Sequence, residues 1–373
     1  MTKLLINKGR VLVYRVYDIG EEINLEKAHE LLQTEAAARM KFKLKKTQQQ
    51  AVVVSTPPLG LSLGQYSYLE NGEHFSAEIS AKIWHFGTIS LTFEFQIPEA
   101  TSIEALKSYS NKIQERDELD DFARNKAREV ATQIQRSMAK MTDWSGYEDY
   151  VLYFIEKFNE EIDDTTKILE REDIASLIID EESNKLSNQI NEKIYSTKLQ
   201  YYKNDLTIID WNSAFIIEPT GAMETCDVIE FSLNQVLEMR YYDELLDHKL
   251  QALYSAVELR DYNILSSKYS DLALEASQRY IEIAEIIESV ENSLKVIGDI
   301  YLATVFRTAS NKFRFNDWQH SIDNKLSNMA KLSELLLDNV NSKRSHLLEI
   351  IIIILISIEV VPFLWNVFKL LIN

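Results

Sequence analysis

The chain has 373 residues, of which 46% are hydrophobic, and it carries a formal net charge of −18. This length accommodates about two or three domains, and the low numbers of glycine (9) and proline (5) argue against an all-β or loop-rich fold. The acidity and the lack of a dense Lys/Arg block argue against direct binding to nucleic acid. A single cysteine, Cys226, excludes an intrachain disulfide and fits a reducing compartment.

The first part of the chain has the pattern of an α+β module, which we place at residues 1–145. Short stretches alternate between apolar and polar residues as strands do, and longer stretches have helical composition. The mixture predicts an α+β fold. The predicted strands cover 10–19, 51–55, 76–84 and 88–97, of which the last two form a hairpin that turns at 85–87, and the predicted helices cover 25–40 and 103–141.

A similar order follows, and we place a second α+β module at 146–225. The segment KIWHFGTISLTFEFQIP of the first module is similar to LQYYKNDLTIIDWNSAFIIEP of the second. Both are hairpin-like, end at a proline and precede a long helix. Two related modules are one interpretation, and chance similarity between amphipathic hairpins is the other. The predicted strands here cover 150–158, 199–202, 207–210 and 214–217, and the predicted helices cover 173–180 and 183–194.

Residues 226–346 are predicted to form a helical bundle or coiled-coil stalk. Apolar residues recur at spacings of three and four along 265–310, which is typical of one side of a continuous helix. We expect a break at 310–317, after which a second apolar stripe runs from Trp318 to Val340. The pattern therefore predicts a long helical hairpin or coiled coil, whose second arm continues into the next segment.

Residues 347–372 are predicted to form one transmembrane helix. The segment reads LLEIIIIILISIEVVPFLWNVFKLLI. At 1.5 Å per residue it reaches about 39 Å, which exceeds a hydrocarbon layer of about 30 Å. Trp365 would lie near the distal interface, where indole rings are favoured. The alternative is a buried central helix of a soluble protein, which the length and the all-round apolarity of the segment disfavour.

Charged residues beside this span predict its orientation. Lys343 and Arg344 precede the span, and Lys369 lies near its far end. The positive-inside rule then leaves the N-terminal bulk in the cytoplasm, as in a single-pass, tail-anchored protein. The N-terminus, MTKLLINKGR, has neither a long apolar run nor an Arg- and Ser-rich leader. A bacterial inner membrane is therefore favoured over the mitochondrial inner membrane.

Polar residues within the span predict an oligomer. Glu349 lies near the start of the span, whereas Glu359 lies near its centre, where a charge costs about 2.5–3.5 kcal/mol on insertion. Asn366 follows Glu359 by seven residues, so both occupy nearly one side of a helix. This side is predicted to face other copies of the chain. The alternatives are a protonated Glu359 in lipid and a span that stops near Pro362.

The sequence contains none of the short motifs that carry catalysis or bind cofactors. Its six histidines form neither an HExxH pair nor a zinc-spaced cluster with cysteine, and there is no Walker loop or GxGxxG run. Cys226 has no neighbouring signature of a nucleophile. We therefore predict no catalytic residue, no cofactor and no metal site, and we predict that the protein is not an enzyme.

Two stretches resemble the required-for-meiotic-nuclear-division family, a group of membrane proteins with a domain of unknown function. In HLLEIIIIILISIEVVPFL, the closing motif of that family falls on Leu348, Glu349, Ile351, Ile352, Ile358, Glu359 and Val360. In IWHFGTISLTFEF, the matching places hold Phe86, Gly87 and Ile89. The resemblance covers mainly the C-terminal third of the chain. It implies an α+β domain, a helical bundle, a C-terminal membrane anchor and homo-oligomers, and it implies a role in organellar translation for mitochondrial relatives.

These features lead to two hypotheses for function. The first is a membrane-anchored oligomeric scaffold or tethering protein that supports translation or membrane organisation. Its expected partners are the lipid bilayer, other copies of the chain and an unknown protein bound by the cytoplasmic α+β domain. The second is an oligomeric ion-conducting or transport-related protein in which Glu359 faces the helix bundle. The single anchor, the stalk and the missing catalytic motifs favour the first hypothesis.

Overall fold

The computed structural model describes residues 3–36, 56–70, 72–114, 116–142, 144–181, 185–258, 271, 274–278, 280–281, 283–284 and 299–372. The chain divides into two compact units. The sheet unit consists of Met1–Tyr241 with Glu288–Gln319, and the helical unit consists of Tyr242–Ile287 with His320–Asn373. The predicted fold class is confirmed, because a mixed sheet with helices is followed by a helical region that ends in one apolar helix.

The sheet unit is built on one seven-stranded sheet and one two-stranded sheet. The strands are β1 Ile6–Asp18, β2 Gly20–Ile23, β3 Leu59–Glu70, β4 Glu73–Ile83, β5 Thr88–Gln96, β6 Met138–Met141, β7 Tyr147–Phe158, β8 Leu206–Ile209 and β9 Ser213–Ile217. The order of strands in the large sheet is β3-β4-β5-β1-β7-β9-β8. Neighbouring strands are antiparallel, except that β7 and β9 are parallel. A second small sheet pairs β2 with β6.

Two of the described helices, with 35 and 58 residues, are much longer than the rest. The helices are α1 Leu25–Ala36, α2 Ile103–Gln114, α3 Asp117–Ile134, α4 Ile168–Arg171, α5 Ile174–Ile178, α6 Asn188–Tyr195, α7 Glu224–Glu258, α8 Ile300–Lys312 and α9 Phe315–Ile372. Two short 3-10 turns lie at Gln135–Ser137 and Thr165–Lys167. Residues 224–241 of α7 and 315–319 of α9 belong to the sheet unit, and the rest of both helices belongs to the helical unit.

The sheet is buried on both faces around its central strand. Successive side chains of β1 point to opposite faces, so Val11 and Val13 enter the main hydrophobic core while Leu12 and Tyr14 are buried on the other face. Helix α3 covers the main core with residues spaced by three and four, Leu119, Ala123, Ala127, Val130 and Ile134. The first half of α7 and helix α8 cover the other face, where ring contacts join Trp84 to Phe231 and Tyr150 to Phe313.

The predicted boundary between residues 145 and 146 falls inside one sheet. Strand β7 pairs with β1 over almost its whole length, from Ile6 opposite Phe158 to Tyr17 opposite Tyr147. It also pairs in parallel with β9, after a connection that contains α4, α5 and α6. Strand β1 thus has β5 on one edge and β7 on the other, so residues on both sides of the predicted boundary belong to one sheet.

Several predicted elements of the sheet unit are confirmed. The hairpin is present as β4 and β5, with its turn at His85–Gly87, and β1, β7, β8 and β9 lie where strands were predicted. The sequence did not indicate β2, β3 or β6. The predicted strand at 199–202 is reduced to one bridge between Leu199 and Thr207. The predicted strand at 51–55 lies outside the described residues.

The break that we expected at 310–317 is confirmed. Helix α8 ends at Lys312, Arg314 adopts a left-handed φ of 59°, and α9 begins at Phe315. The expectation of one helix over 265–310 is wrong at Asp299, whose backbone is extended and whose Oδ1 atom accepts a hydrogen bond of 2.9 Å from the N–H of Leu302. Aspartate is a favoured residue at such a helix start, and most of 259–298 lies outside the described residues.

In the helical unit, the second half of α7 packs on the adjacent part of α9. Leu246, Leu250 and Leu253 are buried on α7, and Leu326, Met329, Leu332 and Leu336 are buried on α9. Lys325 Nζ lies 2.8 Å from Asp243 Oδ1 and 2.6 Å from Asp247 Oδ2. The hydroxyl of Ser321 donates to the same oxygen of Asp243 at 2.6 Å. Helix α9, which follows the break, continues without interruption to Ile372, as predicted.

Candidate functional site

The C-terminal part of α9 is the most unusual surface that the structure describes. Residues Arg344–Pro362 have a mean hydropathy of 2.1, and none of this stretch is buried. Nineteen helical residues extend about 28 Å, close to the thickness of a hydrocarbon layer. The apolar side chains from Ile350 to Ile356 and Ile358 are all exposed. One apolar helix of this length is found among the described residues, and it starts three residues before the predicted span of 347–372.

The structure places the predicted site residues along this one helix. Arg344 and Glu349 are exposed, Trp365 has 64% of its surface exposed, and the helix continues through Pro362. Glu349 Oε2 lies 3.4 Å from His346 Nδ1 on the preceding turn. The remaining predicted residues lie within the helix, but their side chains are outside the described part of the structure. These are Lys343, Glu359, Asn366 and Lys369.

A second feature, which the sequence did not reveal, is a polar seam between α7 and the sheet. We define the polar seam as Lys82, Thr88 and Ser90 of the β4–β5 hairpin with Asp227, Glu230 and Asn234 of α7. These residues lie on the sheet face opposite the main core, because their strand neighbours Ile83, Ile89 and Leu91 all enter that core. Apart from Asp227 and Lys82, their side chains are buried.

Hydrogen bonds connect the seam from end to end. Lys82 Nζ lies 2.7 Å from Asp227 Oδ1 and 2.5 Å from Glu230 Oε2. The hydroxyl of Ser90 donates to the other carboxylate oxygen of Glu230. One turn further along α7, the hydroxyl of Thr88 donates to Asn234 Oδ1 at 2.6 Å. The seam therefore fixes the position of α7 on the sheet by directional contacts rather than by packing alone.

Burial and charge act against each other in the seam. Burial raises the pKa of Glu230, and the Lys82 ammonium partly offsets this effect. Burial alone would lower the pKa of Lys82, but Glu230 and Asp227 outweigh it and raise that pKa. Burial also raises the pKa of the Cys226 thiol far above its ordinary value. A thiol held protonated in this way is a poor nucleophile, so the lone cysteine acts as a packing residue.

Asp18, at the end of β1, is a buried carboxyl without a cationic partner among the described residues. Burial raises its pKa to about 7, although it accepts hydrogen bonds from Thr142 and from the backbone N–H of Gly20. Its Oδ1 atom has no hydrogen-bond partner in the described part of the chain. Glu21, which lies nearby, raises the pKa further. The carboxyl therefore titrates near neutral pH.

Once the contacts are known, the α7 side of the polar seam can be recognised in the sequence. Asp227, Glu230 and Asn234 follow at spacings of three and four, so they form one polar side on a helix whose other residues are mostly apolar. Nothing in the sequence indicates their partners, because Lys82 is 148 residues away from Glu230. Over the residues that the structure describes, no three His, Cys, Asp or Glu side chains are grouped as metal ligands.

Comparison with known proteins identifies the family. The family model described as "Uncharacterized protein MJ0711, N-terminal domain" matches residues 8–224, more than half of the chain. An uncharacterized protein, MJ0711 of Methanocaldococcus jannaschii, is 23% identical over 301 residues, which cover 80% of this chain and 85% of that protein. The chain therefore belongs to the MJ0711 N-terminal domain family. The resemblance to the required-for-meiotic-nuclear-division family is wrong, because the family model that matches residues 8–224 is a different one and neither comparison supports the meiotic family.

Proposed function

We propose that this member of the MJ0711 N-terminal domain family is a membrane-anchored scaffold or tethering protein. The observation that carries the proposal is the apolar stretch Arg344–Pro362, of which none is buried. Exposed apolar surface of this extent is strongly unfavourable in water, at about 25 cal/mol for each Å². A bilayer relieves this penalty, and the helix satisfies its own backbone hydrogen bonds there.

The orientation follows from the charges beside the stretch. Lys343 and Arg344 stand before the apolar residues, and the positive-inside rule holds such residues on the cytoplasmic side. The sheet unit would then face the cytoplasm and be available to a protein partner. The role in organellar translation was implied only by the rejected resemblance, so it forms no part of this proposal.

Self-association within the membrane is a second part of the proposal. Positions 359 and 366 lie seven residues apart on an uninterrupted helix, and so stand on nearly one side of it. A glutamate and an asparagine at these positions favour a side that faces other copies, where polar groups can meet across helices. We expect Glu359→Leu to lower the mass of the nanodisc-reconstituted protein measured by light scattering. Equal masses for wild type and variant would contradict this part.

Anchoring is tested by placing two lysines in the apolar stretch. The variant Ile352→Lys/Ile356→Lys changes two exposed residues one turn apart, so it removes no buried side chain from the described part of the structure. On insertion scales each change costs about 3–4 kcal/mol, since lysine is unfavourable and isoleucine favourable. Wild type should remain in isolated membranes after extraction with alkaline carbonate, and the variant should be extracted.

The matched control lies on the same helix. Asn324→Lys/Asn328→Lys introduces two lysines at the same spacing, at exposed positions before the apolar stretch. This control should stay in the membrane fraction as wild type does. Extraction of wild type by carbonate would overturn the proposed anchor, and so would retention of the Ile352→Lys/Ile356→Lys variant.

A further inference from the structure

The sheet has one long edge that the described residues leave open. Strand β3 (Leu59–Glu70) stands first in the strand order and pairs with β4 on one side. No described residue pairs with its other side. The opposite edge strand, β8, has four residues, and Leu199 exchanges two backbone hydrogen bonds with Thr207 on it, of 2.7 and 2.9 Å. Edge strand β8 is therefore partly covered by Leu199, whereas the outer edge of β3 is open among the described residues.

The open edge lacks the features that usually prevent strands from pairing with other molecules. Natural edge strands carry charged residues or proline, or they are very short. Strand β3 has 12 residues, and 59–69 contain neither a charged residue nor proline. A bulge between Ser62 and Gly64 interrupts its register with β4, but 64–70 pair regularly after it. A regular edge of six uncharged residues, 64–69, therefore remains, and Glu70 ends it.

The strand is held firmly on its inner side. Tyr66 and Tyr68 pack against the main core, and the ring of Tyr68 stacks on Phe75 with their centroids 4.9 Å apart. The guanidinium of Arg116 lies 4.0 Å from the centre of the Tyr68 ring. The opposite face of this part of the strand is exposed, and 70% of the Leu69 surface is accessible. The edge is thus preorganised for pairing and needs no rearrangement to accept a strand.

We propose that the outer edge of β3 pairs in an antiparallel manner with β3 of a second copy of this chain. Each chain carries a net charge of −18, so two copies repel one another over most of their surfaces. The uncharged edge is a strip along which they can approach. A self-paired strand also sets each residue opposite a residue of the same sequence, and an uncharged sequence creates no like-charge pair. A partner that relied on positive charge would meet no carboxylate along residues 59–69.

Symmetry restricts the register of the pair. Opposed residues of antiparallel strands share one face, so a two-fold axis normal to the sheet must pass midway between the two copies of one residue. An axis at Ser67 uses the whole regular part of the strand. It sets Tyr66 opposite Tyr68 on the core side and Gln65 opposite Leu69 on the exposed side, and it sets Glu70 opposite Gly64. No carboxylate then faces another carboxylate along the edge.

Cysteine cross-linking in the full-length protein tests the contact. Two cysteines at position 67 would have Cα atoms about 4.5–5.5 Å apart across the axis, within the range of about 4.4–6.8 Å that a disulfide bridges. The matched control is Ser76→Cys on β4, because Ser76 is the register partner of Ser67 and is also exposed. In the joined sheet the two control positions are three strand spacings apart, about 14 Å. The native Cys226 is buried and does not compete.

We expect Ser67→Cys to form disulfide-linked dimers under mild oxidation at least ten times faster than Ser76→Cys, in dilute detergent-solubilised protein. Gln65→Cys and Leu69→Cys should cross-link more slowly than Ser67→Cys. Equal rates at positions 67 and 76 would show random collision and overturn the proposal. Absence of a dimer at 65, 67 and 69 would overturn it as well, and would favour an edge covered by another segment or another protein. The cross-linking readout does not depend on membrane attachment, so its result is independent of the test of the proposed anchor.

Discussion

Replacing Lys82 by methionine should destabilise the sheet unit by an amount that depends on pH. The substitution keeps the length of the side chain and removes the ammonium that lies 2.5 Å from Glu230. Glu230 has 3% of its side chain exposed, so water cannot replace the lost partner. Removing one partner of a buried ion pair costs about 3–5 kcal/mol. The value here should lie near the lower limit, because Lys82 is itself 31% exposed.

The cost of Lys82→Met depends on pH because Glu230, once it has lost the ammonium, can take up a proton instead of remaining charged. Neutralising a carboxyl of ordinary pKa 4.5 at pH 7 costs about 3.4 kcal/mol, at 1.36 kcal/mol per pH unit. At pH 5 the same step costs about 0.7 kcal/mol. In the variant, the pKa of Glu230 is higher in the folded than in the unfolded state, so stability is lost as pH rises above about 4.5. The loss relative to wild type should therefore be about 3 kcal/mol at pH 7 and about 1 kcal/mol at pH 5.

The measurement is urea denaturation followed by far-ultraviolet circular dichroism, with wild type and variant compared at each pH. Lys126→Met is the control, because Lys126 forms an ion pair with Glu129 on the surface of α3 and should cost less than about 1 kcal/mol. The double variant Lys82→Met/Glu230→Gln should recover most of the stability. A cost for Lys82→Met that is equal at pH 5 and pH 7, or no larger than the control, would refute the reasoning.

Three further predictions concern single residues of the sheet unit. Asp18→Asn should stabilise the protein at pH 8 by up to about 4 kcal/mol in urea denaturation, because a carboxyl whose pKa is raised from 3.8 to about 7 destabilises the fold as pH rises through that range; equal stabilities at pH 8 would contradict this. Gly87→Ala should cost more than about 2 kcal/mol in the same assay, since its φ is 121° and a Cβ would lie 1.8 Å from the carbonyl oxygen of Gly20; a neutral effect would exclude the clash. Asp299→Ala should lose the cap on α8 and lower stability by about 1 kcal/mol, with faster hydrogen exchange at Leu302; unchanged exchange there would argue against the cap.

The elements that the sequence indicated well are those whose pattern is local. The β4–β5 hairpin has alternating apolar residues and a glycine at its turn, where Gly87 adopts a positive φ. The apolar stretch of α9 needs no partner to be recognised, since its length and composition suffice. The break before α9 was likewise indicated by a loss of apolar periodicity around Arg314.

The elements that the sequence did not indicate depend on distant partners. Strand β3 contains Gly60 and Gly64, which weaken a strand signal, and it is ordered by packing of its tyrosines on the core. The sequence also did not indicate that strands of both predicted modules join one sheet, because hairpin patterns do not show which strands pair. The polar seam remained hidden for the same reason, since a lysine on β4 gives no indication of a glutamate on α7.

The place of β1 in the sheet has a consequence for biosynthesis. This strand lies between β5 and β7 in the sheet, and Phe158 at the end of β7 follows Asp18 at the end of β1 by 140 residues. Ribosomes add about 5–20 residues each second, so roughly 7–28 s pass before both neighbours exist. During that interval β1, which is apolar on both faces, lacks at least one of the two strands that flank it in the folded sheet. Nascent chains of this protein should therefore be clients of ribosome-associated chaperones, and slower translation across 97–146 should increase aggregation.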